Sequence, residues 1–223
     1  MITLNLGNEA NAFTTTRNIG RDQELLCSAL NVPTGRFYRP HQVHGTEVEV
    51  VTEAALGSEC HDADAVVYNV RNACIGISTA DCIPVVCYDP EHHCAAAIHA
   101  GWRGTVARIV EKAIARMTET FGTRPSMLRC AIGPGISMAS FEVGDEVYEV
   151  FREAGFAMEK MSIRKGKWHL DIKECNRMQL LSLGVNADNI TVSDIDTMTD
   201  SRFFSARRDG AKTGRMLTGI VLK

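Results

Sequence analysis

His44, Cys82 and His99 stand out by type and by setting, in the segments HQVHG (41–45), TADCIPVV (79–86) and HAGWRG (99–104). Two imidazoles and one thiolate suffice to hold a borderline-soft divalent metal while leaving a fourth position open. An open position marks a catalytic rather than a structural site. The same residues equally suit a metal-free pair, with Cys82 as nucleophile and His99 as base. Asp81 lies between the apolar runs CIGISTA and CIPVVC. A carboxylate there must be paired, solvated or functional, because an unpaired buried charge is costly. Its candidate roles are to orient a metal-bound imidazole or to act as general base.

Other segments supply charge. His99 ends an apolar run, and Gly101 to Gly104 then lead into a helical pattern. Such a junction presents backbone N–H groups near Gly104 and the positive end of a helix dipole, which suits an anion. Arg103 adds a guanidinium that matches phosphate or carboxylate. In FFSARRDG (203–210), Arg207 and Arg208 cannot both enter a core, so one of them is a candidate for an anionic substrate. Glu142 is read as a charge at a helix N-terminus, with a catalytic acid as the alternative. His41, Cys60-His61 and His92-His93 compete as ligands by type alone, and the last pair falls in a turn after Asp89-Pro90.

The elements that must position these residues show in the hydrophobic pattern. Residues 46–51 alternate as a half-buried strand does. Runs at 64–69, 74–79, 84–89 and 94–100 follow, and the last three are apolar at nearly every position, as in strands covered on both faces. A long helix is expected just after Gly104, with Val106, Ile109, Val110, Ala113, Ile114 and Met117 as its buried stripe and Gly122 as its stop. Residues 127–133 read as a central strand. A second helix is expected over 143–154, with Val147, Val150 and Phe151 inward. A third follows Asp171, which with Glu174 makes a capping box, and ends near Gly184. Strands at 168–170, 189–193 and 217–222 complete a mixed α/β domain spanning the whole chain.

Composition narrows the function classes. The 223 residues suffice for one sizeable core, and 45% hydrophobic with 23% charged residues is an ordinary globular balance. A formal net charge of −3 gives no long-range attraction for nucleic acid or acidic membranes, so neither is an expected partner. No apolar run has the length of a membrane span and no signal peptide is evident, so the cytoplasm is the expected location. Eight cysteines without any C-x-x-C pair are expected to be reduced thiols, five of them in or beside strand-like apolar runs. Oligomeric state is not legible.

Taken together, HQVHG, DADAVVYN, TADCIPVVCYD, AAIHAGWRGT, IGPGIS with FEVG, and FFSARRDG with TGR resemble the YfiH-like family. That family was once named for multicopper polyphenol oxidases or laccases, and its members are now described as purine nucleoside phosphorylases with adenosine deaminase activity. The segments occur in the family's order from about residue 10 to the C-terminus. The resemblance implies zinc (copper in older descriptions) at His44, Cys82 and His99. It also implies a mixed-sheet α/β sandwich distantly shared with Cys–His toxin deamidases. The implied reactions are phosphorolysis of adenosine, inosine, guanosine and methylthioadenosine, and hydrolytic deamination of adenosine. Two departures stand out: a reduced stretch between Thr16-Arg17 and the first helix, and Asp196-Thr197 where the family often carries Cys-Thr.

On that resemblance, zinc would take a water at its fourth position and lower its pKa toward about 7 for attack at C6 of adenine. The usual nucleobase-deaminase signature, H-x-E with P-C-x-x-C, is absent. Arg17, Arg103 and Arg207, with N–H groups near Gly104, are the expected phosphate anchors. The rival readings are the metal-free Cys–His hydrolase or deamidase, copper-dependent phenol oxidation, and a metal-binding interaction module.

Overall fold

The computed structural model describes residues 1–7, 10–58 and 60–223. A five-stranded sheet runs in the order β1 (Ile2–Leu4), β2 (Ala10–Thr14), β14 (Met216–Leu222), β6 (Cys74–Thr79), β3 (Phe37–Tyr38). A six-stranded sheet runs β13 (Ile190–Val192), β9 (Arg129–Ile132), β7 (Ile83–Asp89), β8 (Cys94–Ala100), β5 (Ala65–Tyr68), β4 (Val48–Val51). Both sheets mix parallel and antiparallel neighbours: β3 is parallel to β6, and β4 to β5, while β7 and β8 form an antiparallel hairpin. A small third sheet joins β10 (Glu142–Val143), β12 (Lys167–Leu170) and β11 (Ser162–Lys165).

The two large sheets pack face to face. Ile75, Ile77 and Ile220 from one meet Val86, Tyr88, Ala95 and Ala97 from the other. The outer face of the five-stranded sheet is covered by α1 (Gln23–Leu30), through Leu26, Cys27 and Leu30 against Phe13, Cys74 and Leu217. The outer face of the six-stranded sheet is covered by α3 (Ile109–Phe121) and α6 (Ile172–Ser182), with α4 (Asp145–Glu153) and the short α5 (Met158–Met161) alongside. This four-layer order explains the unbroken apolar runs of β6, β7 and β8, since every residue in them is buried.

The helices depart from the sequence pattern in three places. Helix formation begins already at Trp102, in α2 (Trp102–Val106), and is interrupted at Ala107–Arg108, where Arg108 has φ 62°. The buried stripe Ile109, Val110, Ala113, Ile114 and Met117 then belongs to α3, which stops at Gly122 with φ 78°. In α4, Phe151 is fully buried but Val150 is 40% exposed, because the helix packs through one narrow edge. Glu142 is not a helix N-terminal charge: it lies on β10 and pairs with Lys167 at 2.9 Å, and Asp145 and Glu146 occupy the first turn of α4. Asp171 does cap α6, accepting from the Glu174 N–H at 3.0 Å, while the Glu174 carboxylate pairs with Arg177 instead of closing the box. A last short helix, α7 (Ala206–Asp209), carries Arg207 and Arg208.

Candidate active site

Sheet register brings the three remote segments to one end of the six-stranded sheet. Cys82 immediately precedes β7, and the β7–β8 pairing sets Ile83 against Ala100 and Pro84 against His99. The β5–β8 pairing sets Ala65 against Ile98, so Asp64 falls beside His99, whose N–H donates to the Asp64 carbonyl at 2.8 Å. The loop of His44 is delivered by β4, and the Asp64 and Ala65 N–H groups both donate to the Glu47 carbonyl.

The buried Asp64 carboxylate organises the backbone of the His44 loop and the imidazole of His99. It accepts from the N–H groups of Val43 (3.2 Å), His44 (3.0 Å) and Gly45 (2.6 Å), and from His99 Nδ1 at 2.7 Å. Burial opposes its ionisation, but the hydrogen bond from His99 and the backbone donors hold its pKa below the usual carboxylate value. As an ionised acceptor it fixes the proton of His99 on Nδ1 and leaves Nε2 free to face the site. Asp64, within DADAVVYN, is not among the residues that the sequence pattern singles out. A buried Asp just before an apolar strand was the signal.

The ligand atoms of His44, Cys82 and His99 all lie within 4.8 Å of one another. The two imidazole rings meet edge to face with centroids 4.9 Å apart. His44 itself adopts φ 61°, a conformation unusual for a residue with a side chain and held here by Asp64. The enclosed setting of the Cys82 sulfur works against ionisation. The charge of His99 and hydrogen bonds from both histidines overcome it and bring the thiol pKa down to about 6. Burial likewise opposes protonation of His99, yet the Cys82 thiolate and Asp64 raise its pKa to about 9. The cluster is therefore electron-rich and poised as thiolate at neutral pH.

One thiol sulfur and two imidazoles, that of His99 oriented by a carboxylate, form a donor set that suits zinc. Gly101 keeps the approach clear. A Cβ there would lie 3.3 Å from Cys82 Sγ, 3.5 Å from His44 Cδ2 and 3.8 Å from His99 Cε1. The residues present thus fit such an ion. One other group of metal-ligand type occurs among the described residues, Asp89, Glu91 and His92, but Asp89 already accepts from the N–H groups of both neighbours and from His92 Nδ1.

Two cavities open on Cys82. One, of about 340 Å³, is largely apolar and is lined by Trp102, Ile136, Phe141 and Ile172, with Asp81 and Arg207 at its edge. The other, of about 450 Å³, is polar; Arg21, Arg39, Gln42, Ser78, Thr79 and Arg215 line it beside His44, Cys82 and His99.

Several expected site residues lie elsewhere. Asp81 does not orient an imidazole. Its carboxylate accepts from the hydroxyls of Thr197 (2.6 Å) and Ser205 (3.0 Å) and from the Arg207 N–H (2.7 Å), so it pins α7 beside the apolar cavity. Arg17 is ion-paired with Asp209 and donates to the Phe203 carbonyl at 2.9 Å. Arg103 is exposed and stacks on the Trp102 ring, its guanidinium 4.2 Å from the centroid. Gly104 is buried within α2, with the Gly45 carbonyl 3.4 Å from where its Cβ would be. Arg208 clamps the carbonyls of Thr197, Met198 and Phe203. Arg207 alone of the expected anchors lines a cavity, and its guanidinium donates to the Glu142 carbonyl at 3.0 Å. Among the competing ligands, His41 pairs with Asp62 and His61 with Glu49. Asp196, at the second departure from the family pattern, accepts from the Ser137 and Ser140 hydroxyls and so closes its loop onto the segment between Ile136 and Phe141.

Comparison with known proteins places this arrangement. Residues 2–223 match the family described as multi-copper polyphenol oxidoreductase laccase. The chain belongs to that family. A purine nucleoside phosphorylase of Bacteroides thetaiotaomicron is 44% identical over 215 residues, covering 92% of this chain and 80% of the relative. Adenosine deaminase RL5, from an unknown prokaryotic organism, is 38% identical over 209 residues, covering 89% and 79%. Among solved structures, the hypothetical protein YfiH of Bacillus licheniformis superposes with a TM-score of 0.91 at 28% identity, covering 97% of this chain and 94% of that one. The mixed α/β architecture is thus that of the YfiH and YlmD structures. No helix among the described residues is long and apolar enough to cross a membrane.

Proposed function

We propose that this protein is a metal-dependent purine nucleoside phosphorylase, acting on adenosine, inosine, guanosine and methylthioadenosine, that also deaminates adenosine. The relatives' names support an enzyme that processes purine nucleosides. The observation that carries the finer reading is the meeting of His44, Cys82 and His99 between an apolar and a polar cavity. Zinc held by these three residues would supply Lewis acidity and ease the deprotonation of water.

The remaining work falls to the chain. The apolar cavity, with the rings of Trp102 and Phe141 in its wall, offers flat apolar surfaces to a purine. Arg207, whose backbone N–H is held by Asp81, lines that cavity and adds a positive charge to its wall. Asp64 keeps the His44 loop and the His99 imidazole in fixed orientation, so the site need not reorganise when charge develops. In phosphorolysis a phosphate oxygen forms a bond to C1′ as the C1′–N9 bond breaks, and the purine leaves with a proton. In deamination water adds at C6 and ammonia leaves.

A second reading rests on the same cluster without metal. Cys82, its pKa near 6, and His99, its pKa near 9, form a thiolate–imidazolium pair suited to nucleophilic chemistry. Copper-dependent oxidation of phenols ranks lowest, because three ligands at one centre do not supply further copper positions.

Chromatography of adenosine incubations with and without phosphate tests the proposal. Adenine formed only with phosphate supports phosphorolysis and inosine supports deamination; neither product defeats the assignment. Substoichiometric metal with full turnover, in protein purified without a histidine tag, would favour the thiol reading.

A further inference from the structure

The polar cavity contains an electrostatic arrangement that the triad does not use. Arg21, Arg39 and Arg215 line it, and among the described residues no carboxylate does. Arg39 is half-buried and has no hydrogen bond or ion pair among the described residues. Its removal from water and the nearby charge of Arg21 both disfavour its protonated form, so the guanidinium is held there against its own electrostatics. Arg215 is fastened by donation to the carbonyls of Ala211, Thr213 and Gly214, which anchor the side chain but leave its charge without a counter-ion among the described residues. A second observation is independent of charge. The hydroxyls of Ser78 and Thr79, residues of the same wall that are 8% and 1% exposed, are buried with no hydrogen-bond partner among the described residues. Buried polar atoms without partners are uncommon and call for an explanation.

We infer that Arg21, Arg39 and Arg215, with the hydroxyls of Ser78 and Thr79, form a phosphate subsite in the polar cavity, which shares Ala80, Cys82 and Ala206 with the apolar one. A tetrahedral oxyanion bound there meets guanidinium forks, which match its geometry, and hydroxyl donors that otherwise lack acceptors. The position replaces Arg17, Arg103 and Gly104 as anchors, since Arg17 is neutralised by Asp209 and neither Arg103 nor Gly104 lines either cavity. Taking the phosphate to be the orthophosphate co-substrate rests on the proposed phosphorylase reading. Both cavities open on Cys82, so a phosphate held in one and a purine held in the other would meet beside the cluster. The other source of the same chemistry is the phosphate of a nucleotide.

Calorimetric binding of orthophosphate to the full-length protein, without nucleoside, tests the subsite directly. Wild type is expected to bind, Arg39→Gln to bind about ten- to a hundredfold more weakly, and Thr79→Val to lose about tenfold. The remote exposed pair partner Arg124, replaced as Arg124→Gln, is expected to bind as wild type does. Arg39→Lys and Arg21→Gln keep the test decisive if Arg39→Gln misfolds. In steady-state assays the phosphate KM is expected to rise by the same factor. Arg39-dependent binding of AMP or ribose 5-phosphate without binding of orthophosphate assigns the subsite to a nucleotide and overturns the co-substrate assignment. Equal orthophosphate affinity in wild type, Arg39→Gln and Arg21→Gln, or no binding of any of these phosphates, overturns the subsite. Arg39-dependent binding of orthophosphate without release of adenine upholds the subsite and defeats the phosphorylase reading.

Discussion

At the scale of single residues, Cys82 and His99 are the two groups whose ionisation each depends on the other. Cys82→Ala and His99→Ala are expected to abolish adenosine turnover, while His93→Ala, whose ring meets the Tyr88 hydroxyl at 3.2 Å away from the cluster, stays near wild type. Steady-state kinetics on the three variants checks this; a Cys82→Ala protein with undiminished turnover would remove the cluster from the mechanism. Asp64 is the residue that ties His44 to His99. Asp64→Asn keeps the shape but loses the charge that holds the His44 loop and orients the His99 imidazole, and is expected to weaken zinc binding by about ten- to a hundredfold. Competition with a chromophoric chelator measures that loss, and unchanged affinity would show that the two histidines hold their places unaided.

At the scale of elements, the strand ends and the turns between them do the positioning. The hairpin β7–β8 sets Cys82 beside His99 by register alone, so the sixteen positions between them cost little more than one tight connection. Gly101, at the start of α2, has φ −66°, which any residue adopts, so its role is space and not backbone freedom. Gly101→Ala is expected to fold with stability within about 1 kcal/mol of wild type. Its methyl group nevertheless falls 3.3 Å from Cys82 Sγ. Metal affinity and turnover should therefore drop together, and a variant that binds zinc and turns over normally would contradict the crowding argument. Strands β5 to β9 were readable because each is a short apolar run bounded by turn residues. The break at Arg108 was not, since the 3.6-residue pattern of the stripe continues across it and a left-handed Arg has no signature in sequence. Val150 departs for the converse reason: apolar type does not give inward direction on a helix that packs through one edge.

At the scale of the whole molecule, the four-layer order makes the two central sheets rigid and leaves chemistry to their shared end. His44, Cys82 and His99 were legible because ligand-type residues beside Gly and Pro at strand ends are uncommon in a core. Asp64 and the cavity arginines were not, because a carboxylate or guanidinium acquires its meaning from neighbours that only the fold supplies. The same burial gives an expected pH profile. Asp64, Asp89 and Asp196 each accept backbone N–H groups, and their folded pKa values lie below the ordinary carboxylate value. A depressed carboxylate stabilises the fold fully above its unfolded pKa and loses that contribution as pH falls through the folded one. Thermal melts from pH 7 downward are expected to hold until about pH 4 and then fall steeply. A melting temperature that rose on acidification below that point would contradict the assignment of these carboxylates as ionised acceptors.

The most direct measurement is adenosine turnover in tag-free protein, stripped of metal and reloaded stepwise with zinc. Turnover is expected to climb in proportion to bound zinc and to level off at about one equivalent. Full turnover in the stripped protein, or none at any loading, would contradict the account.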